Sequence, residues 1–142
     1  AALPVDPDLT ITRTVQPGSS MRSSDLAVVE LRVRFGPAAA AGCREVTELV
    51  PSGLAPVGAS ARWYEPDEGD EPPDETVILP YAQDGQRVSF CVGPTERHRT
   101  FTLRYVARVV TAGTYSWEPA IAQDPSGQGP AAMTEASSVT IR

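Results

Sequence analysis

The sequence contains no lysine and no asparagine, and it has one histidine and two cysteines. Without asparagine the chain has no N-glycosylation sequon. No stretch reaches the roughly 18 consecutive apolar residues that a membrane-spanning helix needs, so we predict no membrane insertion. A single histidine also leaves little material for a catalytic base or a zinc site.

The negative charge of the chain is concentrated in one place. The net charge is −6, from 18 acidic residues and 12 arginines. Seven of the acids form one run without an arginine: Glu65, Asp67, Glu68, Asp70, Glu71, Asp74 and Glu75. The remaining 11 acids (18 − 7) face 12 arginines, a net of +1. No basic patch is left to displace counterions from phosphates, so no nucleic-acid partner is predicted.

The chain is punctuated too often for long helices. It has 14 prolines and 11 glycines in 142 residues, and 41% of its residues are hydrophobic, enough for one core. Such a chain favours short strands and turns. We predict an all-β protein, an antiparallel β-sandwich of about 7–9 strands. Residues 1–8 are expected to be a lead-in or the edge of an expressed fragment, and residues 9–142 a single sandwich domain.

Period-two patterns place the strands. In the clearest one, residues 26–35, Ala27, Val29, Leu31, Val33 and Phe35 share one face, and charged residues lie on the other. Residues 101–110 repeat this pattern, and Leu9, Ile11 and Val15 share a face of a third strand. Asp84-Gly85 is typical of a tight hairpin turn between residues 76–81 and 87–92. The other predicted strands are residues 43–50, 57–64, 114–122 and 138–141.

Cys43 and Cys91 both fall in predicted strands, and their separation excludes the paired spacing of a zinc site. Two interpretations remain open, a disulfide between strands or two buried thiols. An even cysteine count in a β-domain of exported type favours the disulfide.

No motif for catalysis emerges. His98 lies in a charged turn and the chain has no G-x-S-x-G elbow, so we interpret it as a solvated loop histidine. Residues 127–132 (GQGPAA) match G-x-G-x-x-A, but no β-α-β pattern surrounds them, and a flexible surface loop is expected. We predict no enzyme activity, no catalytic residues and no cofactor.

The acidic run allows more than one interpretation. A solvated loop is favoured, because prolines stiffen the run and it lacks the spacing of a calcium loop. Asp67, Asp70 and Asp74 are weak candidates for Ca²⁺ ligands, and a small hydrolase that uses these carboxylates is a remote third function. Trp63 and Trp117 could anchor a partner, although an indole in an alternating strand is more often core.

Two segments resemble a known family. Residues 103–120 (LRYVARVVTAGTYSWEPA) resemble the closing segment of bacterial alpha-2-macroglobulins, in which a Tyr-x-Ala-Arg strand precedes a Thr-x-Gly-Thr-aromatic turn and a Pro-Ala pair. Residues 48–54 (ELVPSGL) are similar to the Asp-x-Leu-Pro-x-Gly element of the same domain. With the 26–35 strand, the resemblance covers roughly residues 25–142. It implies the C-terminal, receptor-binding-like domain, with an immunoglobulin- or macroglobulin-like sandwich.

What the resemblance implies for function is a structural role. Such proteins are secreted or periplasmic protease traps, so the expected partners are neighbouring domains of a parent chain and, indirectly, a target protease. The expected location is extracellular, cell-surface or periplasmic. A thioester motif is absent, since Cys43 is followed by Arg44-Glu45. We expect contacts with neighbouring domains at Tyr115, Trp117, Gln123 and Met133.

Residues 123–133 correspond to a loop that in some family members shields the thioester with a Met-Tyr pair. This stretch contains no tyrosine, so the shielding role is in doubt. The alternative function is a free-standing extracellular adhesion or ligand-binding β-sandwich, with the acidic run as its contact. That alternative predicts measurable binding of a glycan, a metal or a surface protein by this chain alone.

Overall fold

The computed structural model describes residues 4–58 and 77–142. Thirteen strands lie in these residues: β1 (Leu9–Gln16), β2 (Ser20–Met21), β3 (Leu26–Phe35), β4 (Arg44–Leu49), β5 (Leu54–Pro56), β6 (Val77–Ile78), β7 (Ala82–Asp84), β8 (Arg87–Val92), β9 (Thr100–Val109), β10 (Gly113–Trp117), β11 (Ile121–Gln123), β12 (Ala132–Met133) and β13 (Ser137–Ile141). Seven of them have five residues or more, namely β1, β3, β4, β8, β9, β10 and β13. Within the described ranges, no helix is long and apolar enough to cross a membrane.

The strands form three sheets. The front sheet has the order β1-β3-β9-β5, with β6 also paired to β9. The back sheet has the order β12-β11-β4-β8-β7, and a small sheet has the order β10-β13-β2. All pairs are antiparallel except β6 with β9 and β2 with β13. The predicted all-β, antiparallel sandwich is therefore confirmed.

The core lies between the front and back sheets. β3 and β9 are adjacent in the middle of the front sheet, with Leu31 opposite Leu103. The predicted inward residues of both strands are buried, and Val46, Val88 and Phe90 of the back sheet face them. The rings of Phe90 and Tyr105 are 6.4 Å apart between centroids. A strict period of two thus gives each central strand one buried face.

The hairpin turn at Asp84-Gly85 is confirmed, but its first strand is not the predicted one. Asp84 pairs with Arg87, and Gly85 in the turn has a φ of 59°, which favours glycine. Across this turn β8 pairs with β7, which follows the predicted strand 76–81 in the chain. The earlier part of that segment, β6, runs parallel to β9 in the front sheet. The chain therefore changes sheets between β6 and β7.

The predicted strand over residues 114–122 is also divided. β10 pairs with β13 in the small sheet, whereas β11 pairs with β4 in the back sheet. Pro119 lies between them and has no N–H for a ladder, which explains the break. For the predicted strand 57–64, residues 59–64 lie outside the described ranges. The described strand in that region is β5, paired with β9.

Candidate functional site

Arg13 is a charged residue on the inward face of β1. Leu9 and Ile11 are buried on this face, and because side chains alternate along a strand, Arg13 shares it. Its side chain is 4% exposed. A buried guanidinium is costly unless an acceptor of opposite charge meets it.

Glu48 of β4 is that acceptor, and it is fully buried. Arg13 donates from Nε to Oε2 of Glu48 at 3.1 Å and from Nη2 to Oε1 at 2.6 Å, which makes a bidentate pair. The hydroxyl of Tyr105 donates to Oε2 at 2.9 Å. Arg13 Nη2 also donates to the backbone oxygen of Glu118 at 2.6 Å. Both oxygens of the carboxylate therefore have charged or neutral donors.

Trp117 packs against this pair from the small sheet. It is 2% exposed, and the Cζ atom of Arg13 lies 4.9 Å from the centre of its ring, a cation–π contact. We call Arg13, Glu48, Tyr105 and Trp117 the polar cluster. Since β1 and β9 belong to the front sheet, β4 to the back sheet and β10 to the small sheet, the polar cluster joins all three.

Burial dominates the titration of the polar cluster. It raises the pKa of Glu48 above its ordinary value, against the opposing effects of Arg13, Tyr105 and Trp117. Burial also raises the pKa of Tyr105 well above 10, and the charge of Glu48 adds to this effect. Both oxygens of Glu48 and the hydroxyl of Tyr105 are satisfied within the polar cluster, whereas Nη1 of Arg13 and Nε1 of Trp117 are buried without a hydrogen-bond partner among the described residues. With almost no solvent contact, the polar cluster holds strands of different sheets together.

The sequence-predicted site residues do not include Arg13 or Glu48. A signal for each exists in the sequence. Arg13 occupies an inward position of a strand whose other inward residues are apolar, and Glu48 opens the 48–54 segment that resembles the macroglobulin element. A charged residue in an apolar position of a strand indicates a buried partner elsewhere.

The two segments that carry the family resemblance pack against each other. A side chain at Gly53 would overlap the ring of Tyr115 and approach Cδ1 of Ile141, so only glycine fits without displacement. The hydroxyl of Tyr115 donates to the backbone oxygen of Thr111 at 2.9 Å, which fixes the turn before β10. Tyr115 is half-buried against the core. Its ring therefore packs the small sheet against the turn that contains Gly53.

Cys43 and Cys91 form the predicted disulfide. Their Cα atoms are 5.6 Å apart, and the bond links the start of β4 to β8. Nearby, Gly93 approaches the backbone of Gly42 so closely that a side chain there would collide with its carbonyl. The disulfide end of β4 is nearer the surface than the Glu48 end, since Cys91 is exposed.

The stretch 123–133 lies at the surface between β11 and β12. Gln123 donates from Nε2 to the backbone oxygen of Gly129 at 3.0 Å, and Gly127 and Gly129 both have positive φ. The side chain of Asp124 accepts from the backbone N–H of Ser126, which lowers the pKa of Asp124. Met133 is 50% exposed, whereas Trp117 is buried. The expectation that Trp117 offers a contact surface is therefore not supported by its position.

The other candidate residues are placed apart from the polar cluster. His98 lies in a surface turn in which its backbone N–H donates to Oγ1 of Thr95 at 2.9 Å. The GQGPAA match begins in the surface loop between β11 and β12, whereas its last two residues, Ala131 and Ala132, are buried and Ala132 belongs to β12, so the predicted surface loop is shorter than the match. Trp63 and the weak Ca²⁺ candidates Asp67, Asp70 and Asp74 lie outside the described residues. Within residues 4–58 and 77–142, no group of three His, Cys, Asp or Glu side chains could hold a metal ion.

Fold and core together define a β-sandwich of the macroglobulin-like class. Native alpha-2-macroglobulin from Escherichia coli, from domain MG7 to the C-terminus, is similar over 100% of this chain and 24% of that chain, with a TM-score of 0.74 and 22% identity. A mutant alpha-2-macroglobulin from Salmonella is similar over 99% of this chain and 10% of its own length, with a TM-score of 0.69 and 20% identity. The sequence-based resemblance is thus confirmed for the fold.

A more distant likeness is to a Pyrococcus furiosus CARDB domain in complex with di-metal ions. It covers 100% of this chain and 95% of that domain, with a TM-score of 0.50 and 14% identity. No family model matches the chain, and no curated protein matches it. The chain spans only a quarter or less of the alpha-2-macroglobulin structures that it resembles.

Proposed function

We propose that this chain is a non-catalytic structural and interaction domain of a secreted bacterial alpha-2-macroglobulin-like protease inhibitor, and that it packs against neighbouring domains of a longer parent chain. The observation that carries the proposal is the similarity in fold over the whole chain to one part of two alpha-2-macroglobulin structures. At this level of identity the similarity concerns the fold, and the function is our inference.

The interior of the chain supports a structural role. The charged groups of Arg13 and Glu48 are buried and bind each other, and Tyr105 binds Glu48. A reaction centre needs groups that a substrate can reach, and these groups are enclosed by the core. The polar cluster therefore fits a domain whose work is to keep its sheets in a fixed arrangement.

The disulfide supports the proposed location. Bonds between cysteines persist in oxidising compartments and are rare in the cytosol. The Cys43–Cys91 bond joins β4 to β8 within one sheet, so it is part of the fold. We therefore place the parent protein outside the cell, on its surface or in the periplasm.

Contacts with neighbouring domains are proposed at the surface around the 123–133 stretch. Met133 is 50% exposed, and the side chain of Gln123 orders the stretch from within. Met133 and the 80% exposed Val5 line one groove, and adjacent exposed apolar side chains are typical of surfaces that a partner covers. Tyr115 can contact a neighbouring domain only through the exposed part of its ring, because Gly53 packs against the ring.

The experiment compares the parent polypeptide, cloned from the complete reading frame, with a version that lacks residues 1–142. Each is mixed with a protease, and cleavage of a large protein substrate is measured beside cleavage of a small peptide substrate. A steric trap blocks only the large substrate. We expect the intact parent to do this and the shortened one to lose the effect.

A point variant avoids the risk that the shortened parent fails to fold. Met133→Asp in the parent is expected to weaken trapping, whereas Val110→Asp, at a residue with similar exposure (55% against 50%), serves as the matched control. A parent that does not inhibit any protease, or a shortened parent that inhibits as well as the intact one, contradicts the proposal. Binding of a glycan by the isolated chain favours the adhesion alternative.

A further inference from the structure

Among the described residues, β1 is the edge strand of the front sheet and pairs with β3 on one side. The N–H of Phe35 donates to the oxygen of Arg99, which places the odd-numbered residues of β3 in hydrogen bonds with β9. The even-numbered residues of β3 then bond to the even-numbered residues of β1, such as Thr12 opposite Arg32. The backbone groups of Ile11, Arg13 and Val15 consequently point away from the sheet.

These outward backbone groups become accessible only in the second half of β1, since Ile11 is 5% exposed whereas Arg13 and Val15 are half-buried. No hydrogen bond from the N–H or C=O of Arg13 or Val15 to another described residue is present, because the ladder with β3 uses the even-numbered residues of β1. The side chain of Arg13 is only 4% exposed, whereas the residue as a whole is half-buried. The exposed part of Arg13 is therefore its main chain. Such an edge can pair with another extended chain.

A groove of about 630 Å³ runs along this edge. One wall is β1, with Leu9, Ile11 and Val15, and the other is the segment from β12 to the start of β13, with Met133 and Glu135. Val5 contributes a further apolar side chain, and it is 80% exposed. We call this feature the β1 groove. Its apolar walls and its row of backbone donors and acceptors match an extended peptide rather than a charged small molecule.

The chain already adds an extended segment to one wall of the β1 groove. The N–H of Asp6 donates to the oxygen of Ala131 at 3.0 Å, and the N–H of Ala131 donates to the oxygen of Pro4 at 2.8 Å. Val5 thus forms a parallel bridge with Ala131. The backbone of Ala131, beside this wall, is thus hydrogen-bonded to a segment that lies outside the sheets. The outward backbone groups of β1 could pair with an extended segment in the same way.

The charges of the β1 groove are unbalanced. Arg13 lines it, but its guanidinium is engaged by Glu48 and Glu118 on the inner side. Glu135 is exposed, and no ion pair between Glu135 and any residue of 4–58 or 77–142 is present. A basic side chain on the occupant would complement this carboxylate.

We propose that the β1 groove binds an extended segment of another polypeptide, which adds a strand to β1 and carries alternating apolar residues with one basic residue facing Glu135. Such a segment would be a binding partner of the interaction domain, so this inference rests on the proposed function. The outward groups of Arg13 and Val15 supply the hydrogen bonds, and the apolar walls supply burial.

The probe is a synthetic eight-residue peptide in which valine alternates with threonine and one threonine is replaced by lysine. Its binding to the full 142-residue chain is measured by titration calorimetry, and amide hydrogen exchange is followed residue by residue. We expect saturable binding and slower exchange at the amides of Arg13 and Val15. A version of the peptide with methylated backbone nitrogens on alternate residues is expected not to bind.

Two variants at one position isolate the backbone contribution. Val15→Pro removes an outward N–H without touching the ladder to β3, whereas Val15→Ala keeps this donor and shortens the side chain. We expect Val15→Pro to weaken binding about tenfold, the effect of one lost hydrogen bond, and Val15→Ala to weaken it less. Glu135→Gln is expected to weaken the lysine peptide and to leave an all-threonine version unchanged.

Three results would overturn the proposal: no peptide binding at millimolar concentration, equal loss in Val15→Pro and Val15→Ala, or protection of the same amides by self-association without peptide. The last result would assign the β1 groove to a second copy of the chain. Failure here leaves the protease-trapping experiment unaffected, because that experiment does not depend on the peptide. An intact parent that traps no protease, together with peptide binding by the 142-residue chain, would instead count against the proposed function and not against the β1 groove.

Discussion

The two ends of β4 are attached to the rest of the molecule in different ways. At its start, the Cys43–Cys91 disulfide ties β4 to β8 near the surface. Near its end, Glu48 is fully buried and binds Arg13 and Tyr105 of the front sheet. A covalent bond secures the end that has little burial, and a charge pair secures the end that lies in the core. The disulfide acts within one sheet, whereas the polar cluster acts between sheets.

Removal of the disulfide is expected to have the largest effect. The double variant Cys43→Ser with Cys91→Ser should lose about 4 kcal/mol of unfolding free energy, because the bond closes a loop with a sequence separation of 48 residues. Urea unfolding followed by circular dichroism measures the loss. The control is reductant, which should lower the original chain to the level of the variant and leave the variant unchanged. Equal stability of the two chains would show that the disulfide end needs no covalent bond.

Removal of the cation from the polar cluster is expected to come next. Arg13→Met leaves the carboxylate of Glu48 buried without its partner, and at pH 7 we expect a loss of about 3 kcal/mol. Urea unfolding at pH 7 and at a pH below 5 gives the measurement. The loss should shrink at the lower pH, where the carboxylate becomes neutral.

Two matched variants test whether charge burial is the cause. Adding Glu48→Gln to Arg13→Met should restore part of the lost stability, since no unpaired charge then remains in the core. Arg104→Met removes the cation of a more exposed pair, whose side chains are 16% and 31% exposed, and it should cost less than about 1 kcal/mol. If the variants at Arg13 and Arg104 were equally stable, the buried end of β4 would not depend on its charge pair.

The turn after the Glu48 end supplies the third prediction. Gly53→Ala forces a methyl group against the ring of Tyr115, and we expect a loss of about 2 kcal/mol from overpacking. Tyr115→Ala removes the ring, so in that background Gly53→Ala should lower the unfolding free energy much less. Unfolding of the four members of this double-mutant cycle gives the coupling. Additive losses would mean that the two segments do not act as one packed unit.

The sequence was most informative where one strand determines its own pattern. β3 was predicted with its observed bounds, and the inward faces of β3 and β9 were correct, because period two depends only on neighbouring residues. The split of residues 114–122 and the sheet change between β6 and β7 were missed, since a pattern does not say which sheet a segment joins. Pro119, which has no N–H for a ladder, is the local feature that indicates the break between β10 and β11.

The polar cluster could not be derived from any one strand. Arg13 and Glu48 are 35 positions apart in sequence, and Tyr105 is 57 positions from Glu48. Their contact depends on how the front and back sheets are stacked, which no local pattern encodes. The disulfide was predictable because only two cysteines exist and both fall in segments with a strand pattern. Among the charged residues, by contrast, many pairings were equally possible.

The smallest predicted effect is the pH dependence of the Glu48 end. Burial raises the pKa of Glu48 above the ordinary value of 4.5, so between that pH and the folded pKa the folded chain holds more protons than the unfolded one. Unfolding free energy should therefore fall as pH rises through this window, by at most about 1.4 kcal/mol per pH unit. Asp124, whose pKa is lowered from 3.8, contributes with the opposite sign and at lower pH. The measured quantity is thus the difference between the original chain and Glu48→Gln, which isolates Glu48.

That difference should decrease with rising pH in the original chain and equally in the Cys43→Ser, Cys91→Ser background, because disulfide-bonded cysteines do not titrate and the comparison with Glu48→Gln removes the contribution of groups common to both chains. The same slope in both backgrounds would show that the two ends of β4 act independently. A difference that grows with pH would mean that Arg13 and Tyr105 outweigh burial at Glu48. The buried end would then be held by attraction between charges more strongly than its low solvent contact suggests.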